Sequence, residues 1–408
     1  MAGFWKGRWG TCLGKAATLV ALGLVLGAAS SSHAQSNTRL LLASSWGVPG
    51  HPGFAFGPFA SLAMNEEREI VFLSSLRGAK SELRAVVRSA GVTFSVVAFE
   101  GLRAPVPGTT YESFSAPSLN NSGLIAFTAT LKDDVPSAAV IRVEQSTALA
   151  VATSGGAVPG LPDATFQEFS APVINSAGNV LFGARLGGKQ PATGLLLWSP
   201  RGLQRLPLPA ELHLTASDLL VPAFYSHDEA VFVPRGTPLE AVTEQFFRAI
   251  AIKNFQDLRP PPEASEVVEV LPARTGQAPV RMLLVLMEGE NVQTAVLGGE
   301  PSAPVMARRP PGPMFLPLGR IQGQTAGPRG NIIMAAAPAS QESDLALYCY
   351  CEGQVIRLTS PEEFLPITQS AQGRPISSLA GDGQHTTAFI APTDLGGDSV
   401  GIYVTPVP

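Results

Sequence analysis

Residues 111–131 read YESFSAPSLNNSGLIAFTATL, and residues 166–186 read FQEFSAPVINSAGNVLFGARL. The two align without a gap: Asn120 falls on Asn175, Gly123 on Gly178 and Phe127 on Phe182. One equal step back, FASLAMNEEREIVFLSSL places Asn65, Arg68 and Phe72 in the same frame. The shared word is N-x-x-G-x-x-A-F, with Leu181 in place of the Ala in the third unit. Self-similarity at a fixed period is the mark of a solenoid, propeller or other repeat array.

Forward of residue 186 the word decays while its frame persists. LLVPAFYSHDEAVFV places Phe232 at the Phe position, with Tyr225 and Asp228 replacing Asn and Gly. VEVLPARTGQAPVRMLLVLM offers Met282, GPRGNIIMAAAP offers Met334, and GDGQHTTAFIAP offers Phe389, with Asp382 and His385 ahead of it. The anchors are then Phe72, Phe127, Phe182, Phe232, Met282, Met334 and Phe389. They recur at a step of roughly 50–55 residues, close to the length of a repeat built from one supersecondary unit.

The word has a mechanical meaning. Asn bonds the backbone two residues on, and Gly accepts the left-handed conformation that closes a tight turn. Asn120-Asn121-Ser122-Gly123 is therefore a hairpin turn, and Leu124 to Leu131 is its return strand. Ile125, Phe127, Ala129 and Leu131 line one face of that strand, and Leu124 and Ala126 the other. Apolar residues on both faces place it between packed layers. Pro117 confines the preceding strand to an edge or to its first residues. Two more strands follow: Ala138 to Val143 and Thr147 to Thr153 in one unit, Gly194 to Trp198 and Leu203 to Leu208 in the next. Four short strands per unit are the make-up of a propeller blade, which buries its faces only against its neighbours. The expected fold is all-β, a seven-bladed propeller of four-stranded blades. The last hairpin, around Phe389, is followed by one strand at 400–404, so the final blade is a strand short. Thr38 to Ser45 is a strand without a blade of its own, and residues 38–45 are expected to pair with 399–405.

The words around Asn120 and Asn175 resemble the bacterial exported proteins described by tandem N-x-x-G-x-x-A-F repeats. Those proteins also carry a turn like Gly155-Gly156-Ala157-Val158-Pro159-Gly160, which recurs here as Ala104-Pro105-Val106-Pro107-Gly108 and Gly47-Val48-Pro49-Gly50. The resemblance implies export, repeats and often a surface role. It implies no catalytic residue.

The N-terminus agrees with export. Lys6, Arg8 and Lys15 precede an apolar run, Ala16 to Ala29, and Ser32-His33-Ala34 reads as a cleavage site. The run is short of the roughly 20 residues a spanning helix needs. Residues 1–34 are expected to be a signal peptide and 35–408 a single propeller domain, located in the periplasm or outside the cell. An uncleaved anchor is the alternative. Cleavage leaves 25 Lys and Arg against 32 Asp and Glu. With no basic stripe, the chain is not built for nucleic acid. Glycine and proline together number 77, while apolar residues reach 45%, which fits short strands joined by turns rather than disorder.

Two cysteines follow the leader, Cys349 and Cys351, on one face of a strand. They are expected as free thiols packed like small apolar groups, with a Cys-x-Cys redox pair as the alternative. Turns at equivalent places fall on one face of a ring. That face would carry Glu66, Glu67 and Arg68, then His227, Asp228 and Glu229, then Arg329, Gln384 and His385. His227, Asp228, Glu229 and His385 are the candidate binding residues, able in principle to hold a cation or carry protons. Against that stands the reading of a solvated turn. No metal site and no cofactor are expected. The structural turn residues are Asn65, Asn120, Gly123, Asn175 and Gly178.

Two function classes follow. One is a non-catalytic, monomeric binding or interaction scaffold for a protein or glycan. The other is a propeller enzyme, a hydrolase, lyase or quinoprotein, with its site at the central channel. Fold alone does not choose between them.

Overall fold

The computed structural model describes residues 38–132, 137–189 and 191–208. Beyond these it describes the segments 219–224, 230–234, 266–272, 282–288, 291–297, 318–326, 332–338, 346–351, 354–358, 378–382, 386–393 and 399–406. Every regular element among them is a β-strand, and every pairing is antiparallel. Among the described residues no helix is long and apolar enough to cross a membrane.

The first strand, β1 (Arg39–Ala43), belongs to the last sheet and is placed below. The next four make one sheet in chain order: β2 (Ala55–Met64), β3 (Ile70–Arg77), β4 (Glu82–Ala90) and β5 (Thr93–Phe99). The second sheet holds β6 (Thr110–Phe114), β7 (Ser118–Leu119), β8 (Ile125–Lys132), β9 (Ser137–Glu144) and β10 (Thr147–Thr153). The third holds β11 (Ala157–Val158), β12 (Leu161–Phe169), β13 (Val173–Ile174), β14 (Val180–Gly188), β15 (Ala192–Ser199) and β16 (Gly202–Leu206).

Then come a pair, β17 (Leu220–Phe224) with β18 (Ala230–Pro234), and a triplet, β19 (Glu266–Pro272), β20 (Met282–Glu288) and β21 (Asn291–Leu297). A four-stranded sheet follows: β22 (Leu318–Ala326), β23 (Ile332–Pro338), β24 (Ala346–Cys351) and β25 (Gln354–Arg357). The last sheet has β26 (Ser378–Gly381), β27 (Thr386–Pro392) and β28 (Val400–Pro406), with β1 against β28. Arg39 stands opposite Val404, and Ala43 opposite Gly401.

The anchor residue sits at one register position throughout. Phe72 is opposite Val87, Phe127 opposite Ile141, Phe182 opposite Leu196, Met334 opposite Tyr348 and Phe389 opposite Tyr403. These four anchoring phenylalanines have no solvent exposure. A second aromatic meets each of the first three edge-on. Phe59 lies 5.4 Å from Phe72, Phe114 5.6 Å from Phe127, and Phe169 5.7 Å from Phe182, between ring centroids. A third ring packs on the second as Phe56, Tyr111 and Phe166. T-shaped pairs add about 0.5–1.5 kcal/mol to what area burial supplies. These trios thus hold the strand before each turn onto the strand after it.

Alternation along β8 separates two cores. Ile125, Phe127, Ala129 and Leu131 join a cluster with Val71 and Val86 of the preceding sheet. Ala126 points the other way, into a cluster with Phe166 and Phe182 of the following one. The sheet of β8 is therefore sandwiched, and its apolar faces are satisfied by its neighbours.

Three expectations change in detail. The strand before Asn120 is broken: β6 and β7 are separated by Ser115, Ala116 and Pro117, as β12 and β13 are by Ser170, Ala171 and Pro172. Proline offers no N–H to a ladder. The first unit has Leu62 at that place, and β2 runs through with irregular register and Ser61 at φ 52°. The fourth strand of the third unit is Gly202–Leu206 rather than 203–208. Cys349 is disulfide-bonded and not a free thiol. It is fully buried beside Ile333, Ala335 and Leu347. A half-cystine occupies such a site as readily as a thiol, so apolar surroundings alone do not reveal the redox state.

Candidate functional site

The site is assembled from the turns that link the first long strand of each unit to the second. Asn65, Asn120 and Asn175 each occupy the first position of such a turn, and each is buried. Their side-chain oxygens accept the N–H of the residue four places on, Glu69, Leu124 and Asn179, all at 2.8 Å. Asn120 Oδ1 also accepts the N–H of Ser122 at 3.0 Å. The fourth turn residue takes the left-handed conformation: φ is 75° at Gly123, 80° at Gly178 and 61° at Arg68.

The other half of the amide leaves the turn. Asn65 Nδ2 donates to the carbonyl of Asn120 at 3.0 Å, and Asn120 Nδ2 donates to the carbonyl of Asn175 at 2.9 Å. Each of these two asparagines thus shapes its own turn and grips the next. The grip is reinforced where the N–H of Glu66 donates to Asn121 Oδ1 at 3.1 Å. Arg88, on β4, stands at the register position of Arg142 on β9. Its guanidinium pairs with Glu69 at 2.6 Å and lies over Gly123 of the next turn. Arg142 reaches towards Gly178 in the same manner and also stacks on Trp198 at 5.3 Å from the ring centre.

A fourth turn belongs to the last sheet. Asp382 accepts the N–H of Thr386 at 2.9 Å and donates its own N–H to the carbonyl of Thr386 at 3.0 Å, as the asparagines do with their partners. Its second carboxylate oxygen lies 3.6 Å from Arg68 Nε of the first unit. The Asp382 side chain is 1% exposed and that of Arg68 63%.

The third turn residue is exposed in each of the first three units, as Glu67, Ser122 and Ala177. His227 and Gln384 hold the equivalent place in the fourth and last units by sequence frame. Residues 225–229 and 383–385, hence His227, Asp228, Glu229, Gln384 and His385, lie outside the described residues, as does Arg329. The strands bearing Phe232 and Met282 are described. Chemically, the described turns form a lattice of hydrogen bonds, with the asparagines of the repeat word turned inwards and the varied third residue of each of the first three turns facing out, joined in the first turn by Arg68. Sequence reading identified the turn residues but not the bond from each amide to a carbonyl one repeat further on. Periodicity does not tell which units become neighbours.

The chain is an all-β protein of antiparallel sheets with a propeller-like fold. Residues 27–206 match a family of unknown function, DUF7453. No curated protein matches the chain in sequence. Among solved structures, the β-propeller domain of the Trilobed protease from Pyrococcus furiosus is 9% identical, with a TM-score of 0.41, over 83% of this chain and 92% of that one. A protein of unknown function from Dyadobacter fermentans is 10% identical, with a TM-score of 0.37, over 90% and 99%. A puromycin hydrolase is 13% identical, with a TM-score of 0.42, over 83% of this chain and 50% of its own.

Proposed function

We propose that this is an exported seven-bladed β-propeller that acts as a non-catalytic binding or interaction scaffold for a protein or glycan. The observation that carries the reading is the use made of Asn120. Its oxygen holds two N–H groups of its own turn, and its nitrogen holds the carbonyl of Asn175. The most repeated polar residue is committed to assembly, which leaves the varied outward residue of each turn to meet a partner. The seven anchors and the pairing of β1 with β28 support seven blades in a closed ring. The basic start, the apolar run and Ser32-His33-Ala34 support export, with a mature chain beginning at Gln35. His227, Asp228, Glu229 and His385 would then be part of the turn face.

A glycan and metal binding screen on protein secreted by a bacterial host tests the reading, with intact mass and N-terminal sequencing on the same material. The expected results are a start at Gln35, no bound cofactor, and ligand recognition that changes with the exposed turn residues. A tightly held cofactor, or a turnover abolished by H227A/D228A, would overturn the scaffold reading in favour of an enzyme.

A further inference from the structure

The turns of the first and last units depart from the repeat in ways that match each other. Asn becomes Asp382 in the last unit, and Gly becomes Arg68 in the first. The arginine of the third strand, Arg88 and Arg142 in the first two units, gives way to Leu197 in the third, to Cys349 in the sheet before the last and to Val404 in the last, which faces Ala388 as Arg142 faces Ala126. In the first units a guanidinium reaches forward from the third strand over the glycine of the next turn. At the junction of last and first units the third strand offers only Val404, and a guanidinium reaches back from the turn itself. Arg68 keeps φ at 61°, a conformation that side chains other than glycine resist. Its Nε lies 3.6 Å from a carboxylate that is almost fully buried. Other contacts join the same two units: the N–H of Leu62 donates to Ser378 Oγ at 2.9 Å.

We propose that Arg68 and Asp382 are a matched exchange, a lock that singles out the junction between first and last units. The amide-to-carbonyl grip of Asn65 and Asn120 is generic, and any asparagine turn could in principle hold any other. A carboxylate with an arginine opposite it fits only one neighbour. The pair therefore sets which turns meet when the array closes. Charged pairs are known to fix register in this manner. The proposal rests on the closed-ring reading.

A double-mutant cycle on the full chain tests it, read as the unfolding constant in denaturant. In the wild type, D382N removes the ion pair and is expected to destabilise. In an R68G background, D382N is expected to stabilise. The last turn then regains an amide to grip the carbonyl of Asn65, and a glycine at position 68 accepts the left-handed conformation freely. The expected coupling exceeds about threefold in the unfolding constant, within the range of residues in direct contact. Should R68G fail to refold, recovery of folded protein in R68G/D382N reads the same sign. An effect of one sign in both backgrounds overturns the lock. A cysteine pair at Leu40 and Tyr403, which face each other, separates the two readings. If L40C/Y403C crosslinks within one chain and the sign does not reverse, the lock fails and the ring stands. If no intramolecular crosslink forms, the ring reading fails and the lock with it.

Discussion

Asn120 donates its side-chain N–H to the backbone carbonyl of Asn175, 55 residues away, at 2.9 Å, with both residues buried. The period of the sequence is therefore also the span of a hydrogen bond. Removing the side chain deprives two N–H groups of the Asn120 turn and one carbonyl of the next. The carbonyl of Asn175 keeps the N–H of Gly178, and Ser122 is open to water, so the loss is that of three hydrogen bonds at about 0.5–1.5 kcal/mol each, and N120A is expected to lower stability by about 3 kcal/mol in urea unfolding. N120D keeps the acceptor and loses the donor, so it should fall between N120A and the wild type.

Gly183 sits on β14, where a Cβ would press on the backbone carbonyl oxygen of Leu220 on β17. Its own N–H and carbonyl are bound to Ser170. The strand has no freedom to withdraw, and the obstacle is backbone. G183A is expected to cost about 2–3 kcal/mol, the upper part of the range for overpacking, measured as a shift in denaturation midpoint. In the second unit the same place is held by Thr128, whose hydroxyl instead donates to the carbonyl of Ser170 at 2.7 Å.

Burial pushes the Tyr111 phenol up to about 12. Unfolded tyrosine ionises near pH 10, so between about pH 10 and 12 the unfolded state has released a proton that the native state keeps. Stability therefore falls as pH rises through that window, by up to about 2–3 kcal/mol. Y111F removes the ionisation. Its melting temperature should decline less than that of the parent across the window, and equal declines would show that another group is responsible.

Much of this was legible in residue order. Asn, Gly and Phe at fixed offsets gave hairpin, turn and anchor, because each has a local reason for its place. Pro117 and Pro172 mark the breaks that the strands show. Relations across units were not legible in the same way. Val404 reads as one more apolar strand residue until it is seen to stand where Arg88 and Arg142 stand. Arg68 reads as a decayed glycine until Asp382 is seen opposite. Cys349 reads as a small apolar group, and its disulfide is a matter of partner and oxidant that burial does not encode.

The strand β1 makes a fourth prediction. Leu42 and Ala43 are buried, while Leu40 and Leu41 are partly so, and Ser44 Oγ accepts the N–H of Val400 at 2.9 Å. Deleting residues 39–43 removes one fully buried leucine, at about 1.5–3 kcal/mol, and uncovers β28. Calorimetry should show a lower melting point for the whole transition. An unchanged melting point would mean that this strand contributes nothing to the core.

Thr38 donates its hydroxyl to that of Thr405, 367 residues away, at 2.9 Å. The earliest described strand to leave the ribosome finds its partner among the last. Until then its neighbours can stack, but β1 has no sheet to join. A chain so arranged stays unfinished throughout synthesis, and its slowest step is the meeting of distant segments.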